Sequence, residues 1–189
     1  MNMDQIRSYF NRFLALNDSE WADFVACCHK EPVPKKEFIL RQGEVCDYIA
    51  FIGEGIFRFY YVQEGEEHVT AFFFPGDFVT NYRSFLRGNP SEHYIESLKP
   101  SVIYKIYKND LLALYDRHKN FERLGRFIAE NLYLTVAGRL DSFLHDSPEN
   151  RYQELVQRNS KLLQEVPQYM LASYLGIKPE TLSRIRARK

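Results

Sequence analysis

Near the C-terminus the stretch "LASYLGIKPETLSRIR", Leu171 to Arg186, sets cations and hydroxyls at helical spacing. Lys178, Glu180, Thr181, Ser183, Arg184 and Arg188 fall on the outward side of a short helix, while Leu182 and Ile185 fall on the inner side. Arginine can hold guanine bidentately in a major groove, and glutamate can accept from the cytosine amino group. Lys178, Thr181 and Arg188 are suited to phosphates. Glu180 and Arg184 stand at i and i+4, a spacing that lets them pair before any ligand arrives. The chemistry on offer is the reading of DNA bases, with an ordinary helical hairpin as the alternative. Net charge is zero, yet residues 1–110 carry 12 Lys/Arg against 16 Asp/Glu, and residues 111–189 carry 13 against 9. A basic terminus attracts polyanions, although cations also favour the C-terminal end of any helix.

Other chemistry is sparse. Cys27, Cys28 and Cys46 cannot form a closed set of pairs, which predicts free thiols in a reducing cytoplasm. His29, His68, His93, His118 and His145 lack paired ligand spacing, so no metal site is expected. No Gly-x-Ser-x-Gly, phosphate-binding loop or carboxylate dyad stands out, so we expect no catalytic residues and no enzyme. The start "MNMDQIRSYFNRFLAL" lacks the unbroken apolar core of a signal peptide, and the apolar run Ala71 to Phe74 is far too short to span a bilayer.

Several elements must position the terminal residues. Residues 4–30 read as helical, with Ile6, Phe10, Phe13 and Leu14 on one face and a second helix starting at Asp18-Ser19-Glu20. From Pro32 to about Lys108, short runs rich in Phe, Tyr, Ile and Val alternate with turns at Gly43, Gly53, Gly55, Gly65 and Gly76. That texture predicts an antiparallel sandwich or roll, which can enclose a small ligand or be a packed core. Phe57, Phe59, Phe72, Phe74 and Tyr82 are the aromatics available to line a pocket for an apolar or planar ligand, or to fill the core. Residues 110–118 suggest a short helix. A longer one follows, with Phe121, Leu124, Ile128, Leu132, Val136, Leu140 and Phe143 at spacings of three and four. This seam runs for about six turns, more than a small roll can cover. It predicts a homodimer through Phe121, Leu124, Ile128, Leu132 and Val136. "RYQELVQRNSKLLQE" gives one more helix. Pro167 and Pro179 then suit first turns, Gly176 supplies a turn, and Leu171, Ala172, Leu175, Ile177, Leu182 and Ile185 form the interior of a helix-turn-helix.

In this order the elements resemble the cyclic-AMP receptor/fumarate-nitrate regulator (Crp/Fnr) family over nearly the whole chain. "ILRQGEVCDYIAFIGEGIFRFY" is similar to the first strands of that family's roll, with Gly43 and Gly55 at turns, and "KPETLSRI" is similar to its recognition helix. The resemblance implies an α+β fold: an N-terminal double-stranded β-roll of the cyclic nucleotide-binding-like jelly-roll type (1–118), a dimerisation helix (119–146) and a C-terminal helix-turn-helix DNA-binding unit (147–189). It implies double-stranded DNA, a second copy of the chain, a small-molecule effector and RNA polymerase as partners. Base contacts would come from Glu180 and Arg184.

Two departures qualify it. Family members that bind cyclic AMP carry Phe-x-Gly-Glu-Leu and, after a short helix, Arg-Ser-Ala. The matching stretches here read Phe78-Val79-Thr80-Asn81-Tyr82 and Ser91-Glu92-His93. Asn81 replaces the ribose-binding carboxylate, Ser91 replaces the phosphate-binding arginine, and Glu92 repels a phosphate. Arg83 and Arg87 are the nearby cations, read either as substitutes or as solvated charges. Asn81, Tyr82, Arg83, Ser91 and Glu92 are thus the candidate effector residues, with weak or no cyclic-AMP binding expected. Fumarate-nitrate regulators hold an iron–sulfur cluster on four cysteines, and three without that spacing predict none. With the sequence ending at Lys189, the β-hairpin wing usual after the recognition helix is also expected to be missing.

Overall fold

The computed structural model describes residues 3–158 and 160–187. Two short helices come first, α1 (Asp4–Phe10) and α2 (Asp18–Ala26). Asn17 caps α2: its side chain accepts from the Glu20 N–H, and the Glu20 carboxylate accepts from the Asn17 N–H, both at 2.9 Å. This reciprocal pair fixes where the helix starts.

Eight strands follow: β1 (His29–Val33), β2 (Phe38–Leu40), β3 (Tyr48–Glu54), β4 (Phe57–Gln63), β5 (Glu66–Phe73), β6 (Phe78–Val79), β7 (Tyr94–Ser97) and β8 (Ser101–Tyr107). The short helix α3 (Tyr82–Arg87) interrupts them. The expected helical stretch 4–30 therefore ends too late, because His29 already opens a strand. "HKEPV" carries no apolar alternation, and only backbone pairing to β8 makes it a strand. It lies at the edge of its sheet, where a proline such as Pro32 is tolerated.

The strands form two four-stranded antiparallel sheets, in the orders β1-β8-β3-β6 and β2-β7-β4-β5. Between them lies a core of Val33, Leu40, Tyr48, Ala50, Ile52, Phe57, Val79, Ile95 and Ile103. The junction from β3 to β4 requires Gly55. Its φ is +100°, and a Cβ there would stand 1.8 Å from the Ser101 hydroxyl.

Six helices complete the described residues: α4 (Lys108–Arg117), α5 (Lys119–His145), α6 (Pro148–Arg158), α7 (Ser160–Glu165), α8 (Gln168–Leu175) and α9 (Pro179–Ala187). Together with α1 and α2 they cover the outer faces of both sheets. On the first sheet, Phe51, Tyr104 and Ile106 pack against Ile6, Phe10, Phe24, Leu114, Phe121 and Leu124. On the second, Tyr60 and Val69 pack against Tyr152, Leu155, Leu162, Val166, Met170, Leu171, Ala172 and Leu175. Strands with both faces covered read as nearly continuous apolar runs, as "YIAFI" does.

A bulge in the β4–β5 pairing decides which aromatics face inward. Phe59 lies opposite Ala71, but Tyr60 lies opposite Val69, so β5 carries one extra residue at Thr70. The extra residue reverses the side-chain alternation along the strand. Phe57, Phe59 and Phe73 pack inside the roll, while Phe72 and Phe74 pack on the outer side against the C-terminal helices. Phe72 and Phe74 therefore cannot line a pocket in the roll, a correction that period-two counting could not foresee.

Candidate functional site

The C-terminal pair α8 and α9 meets at Gly176, whose φ of +67° is left-handed. The Ile177 N–H reaches back to the Ala172 carbonyl at 3.0 Å, closing α8 as a glycine C-cap does. Leu171, Ala172, Leu175, Leu182 and Ile185 are buried, and Ile177 is partly buried against them. All six residues expected inside lie inside. Ala172, with no exposed surface, stands where the two helices approach.

Burying that face turns the other one outward. Lys178, Glu180, Ser183 and Arg184 are exposed, and Thr181 is partly so. Arg184 donates to the Thr181 hydroxyl at 3.2 Å, not to Glu180. The expected i,i+4 pair is not made, which leaves the Glu180 carboxylate open to a donor. Arg188 lies outside the described residues.

The seat of this pair was not legible in the sequence. Arg139 of α5 donates to the Tyr174 carbonyl at 2.8 Å, and Arg151 of α6 donates to the Leu175 carbonyl at 3.2 Å. These are two of the last carbonyls of α8, which have no partner inside the helix. Both guanidiniums lie over the Phe143 ring, each 4.9 Å from its centroid. Elsewhere Ser173 accepts from the Val69 N–H at 2.9 Å and donates to the Glu67 carbonyl, so α8 also satisfies the free edge of β5.

The seam on α5 needs correction. Phe121 and Leu124 are each 2 % exposed, and Ile128 packs beside them against the first sheet's helical cover. Phe121 and Leu124 are filled by this chain and have nothing left for a partner, and Ile128 is partly covered. Helices turn 100° per residue, so a row spaced at three and four drifts round the axis. Beyond the roll the uncovered face runs through Ala129, Tyr133, Val136, Leu140 and Leu144, with Leu132 at its margin. Tyr133 is 71 % exposed and Leu144 67 %. Neither was singled out in the sequence, whereas Phe143 turns toward Gly176.

The candidate effector residues come together, but they satisfy one another. Asn81 donates to the Ser91 hydroxyl at 2.7 Å and accepts from the Ser84 N–H at 3.2 Å. Ser91 in turn accepts from the His93 N–H and donates to the His93 carbonyl. Asn81 and Ser91 are both buried, and each side chain both donates and accepts within this cluster. Arg83 pairs with Glu92 at 3.2 Å, both well exposed, and Arg87 is exposed as well. Tyr82 stacks on Phe85. Next to this cluster, Phe59 and His93 stack with centroids 4.5 Å apart, and Tyr61 meets His93 edge-on. Burial holds the His93 imidazole below its ordinary pKa; Glu92 opposes the shift and Arg83 adds to it.

Residues 30–118 match the family described as cyclic nucleotide-binding domain. No curated protein matches the chain in sequence. Among solved structures, FixK2 from Bradyrhizobium japonicum aligns with a TM-score of 0.72 and 18% identity, over 85% of this chain and 83% of that one. A protein assigned to the Crp/Fnr family of transcriptional regulators from Eubacterium rectale gives 0.70 and 16%, over 92% and 83%. The catabolite activator protein of Thermus thermophilus gives 0.58 and 20%, over 93% and 84%. The chain thus has the fold of these transcription regulators. Among the described residues no helix is long and apolar enough to cross a membrane.

Proposed function

We propose that the chain is a homodimeric, DNA-binding transcription regulator of the Crp/Fnr type, working in the cytoplasm beside RNA polymerase, whose roll does not respond to cyclic AMP. Its working units are the roll (1–118), the dimer helix (119–146) and a helix-turn-helix (147–189). One observation carries the reading: α9 buries its apolar face completely and leaves Lys178, Glu180, Ser183 and Arg184 bare on the other. A purely structural hairpin has no need of a bare cationic face beside a clamped turn. The packing of α8 on the roll favours the rival in which the hairpin is only structural, but that packing leaves α9's outer side untouched.

In this reading Arg184 and Glu180 contact bases, while Lys178 and Thr181 hold phosphates. Dimer symmetry then demands a pseudo-palindrome with half-sites about 34 Å apart. Selection from a random DNA pool tests it. Symmetric sites are expected, and Arg184→Ala should cost roughly 1–3 kcal/mol and relax one base position. Affinity should fall steeply with salt. Enriched sites without symmetry, or an Arg184→Ala protein that selects the same sites with equal affinity, would refute the assignment.

A further inference from the structure

We propose that Arg139 is a positioning residue that fixes the α8–α9 pair to the axis of α5, and thereby sets the spacing between the two reading helices of a dimer. The inference rests on the DNA-binding reading above.

Arg139 makes the contacts of a clamp. Its guanidinium donates to the Tyr174 carbonyl and lies 3.8 Å from the Tyr174 ring centroid and 4.9 Å from that of Phe143. Among the described residues it has no carboxylate partner, so it is not one of the ion pairs that decorate a surface. The planar fork suits this place. It can satisfy a carbonyl in its own plane while its faces stack on rings, which an ammonium cannot do. Arg151 mirrors it from α6, holding the Leu175 and Asp146 carbonyls and covering the same Phe143 ring. Phe143 fills the gap beneath the turn so closely that a Cβ on Gly176 would stand 2.7 Å from its ring.

The clamp lies on the right element for this task. Arg139 sits about 100° round α5 from the Ala129–Leu144 face, so one helix presents its bare face to a partner and the clamp to the reading pair. Ser173 ties α8 to the roll and Arg151 ties it to α6, whereas Arg139 is the tie that comes from the part of α5 beyond the roll, beside the bare face. A flexible tether from α5 to α9 would leave the two reading helices free to adjust to many spacings. Arg139 removes that freedom.

The test offers wild type, Arg139→Ala and Arg139→Gln a DNA pool of paired half-sites at varied separation, with dimer mass followed by sedimentation. Arg139→Ala should keep the dimer mass and the steepness of the salt dependence, because it touches neither the bare face nor phosphate. It should lose roughly tenfold in affinity at the preferred spacing, the scale of one charge-assisted hydrogen bond, and should accept neighbouring spacings. Arg139→Gln keeps one donor but no stacked cation and should fall between; if the alanine protein does not fold, it carries the test by the same criteria. A variant with the wild-type spacing profile and affinity overturns the proposal while leaving DNA binding intact. A wild type that selects no symmetric site overturns the DNA-binding reading itself, and the positioning role with it.

Discussion

Gly176 shows how much one missing side chain can decide. Its backbone is left-handed, and the space above its α carbon is already taken by Phe143. Gly176→Ala meets both obstacles at once and should cost roughly 1–3 kcal/mol. For a chain of this size that is a fall in Tm of about 2–4 °C per kcal/mol. An unchanged melting curve would mean that Phe143 swings away freely. His93 makes a second residue-scale prediction. Burial lowers its pKa in the folded protein, so the unfolded chain binds the proton more readily. The stability it contributes is complete above about pH 6.5 and is lost as the pH falls through the folded value. Denaturant titrations across that window should show the decline, and His93→Phe should flatten it. A slope that persists in the phenylalanine variant would assign it to another group.

The long helix is the element whose two ends do different work. From Phe121 to Ile128 it is part of the roll's cover; from Tyr133 onward its apolar face is left exposed among the described residues. Val136→Asp or Leu140→Asp should therefore split the dimer at micromolar concentration while each protomer keeps its melting temperature. Ile128→Asp should instead lower that temperature, because it puts a charge against the chain's own core. Sedimentation and thermal melts separate the two outcomes, and a wild type that sediments as a monomer would dispose of the dimer. The existence of this helix was legible from the spacing of its apolar residues. The face it offers was not, because that depends on where the first sheet stops. Arg139 and Arg151 gave no signal either. An arginine on an amphipathic helix looks the same whether it meets water or the end of another helix.

At the scale of the molecule, an antiparallel roll followed from the glycine-punctuated strands, whereas the helical cover on the outer faces of both sheets did not. The roll, the seam helix and the terminal pair were all readable in sequence. What escaped was the bulge at Thr70 and the edge strand His29–Val33, both fixed by pairing between distant residues. The substituted cassette led to the expectation of lost phosphate ligands, and the structure adds that Asn81 and Ser91 are buried and hydrogen-bonded to each other. Cyclic AMP should accordingly leave the melting curve unmoved. A ligand present at a hundred times its Kd would add about 2.7 kcal/mol, an increment that calorimetry reads easily and that would contradict a closed cassette.

Strand β4 has a consequence for how such a molecule can signal. Phe57 and Phe59 point into the roll, and the residues between and after them, Arg58 and Tyr60, point out, with Tyr60 lying among the C-terminal helices. Arg58 holds Glu67 and Glu96 on that outer side, its guanidinium 4.0 Å from the Tyr60 ring centroid. The wall between the two compartments is a single extended chain. A shift of the backbone at Phe59 would also move Tyr60, the next residue, on the outer side. One peptide bond thus joins the packed interior to the contacts of the C-terminal helices.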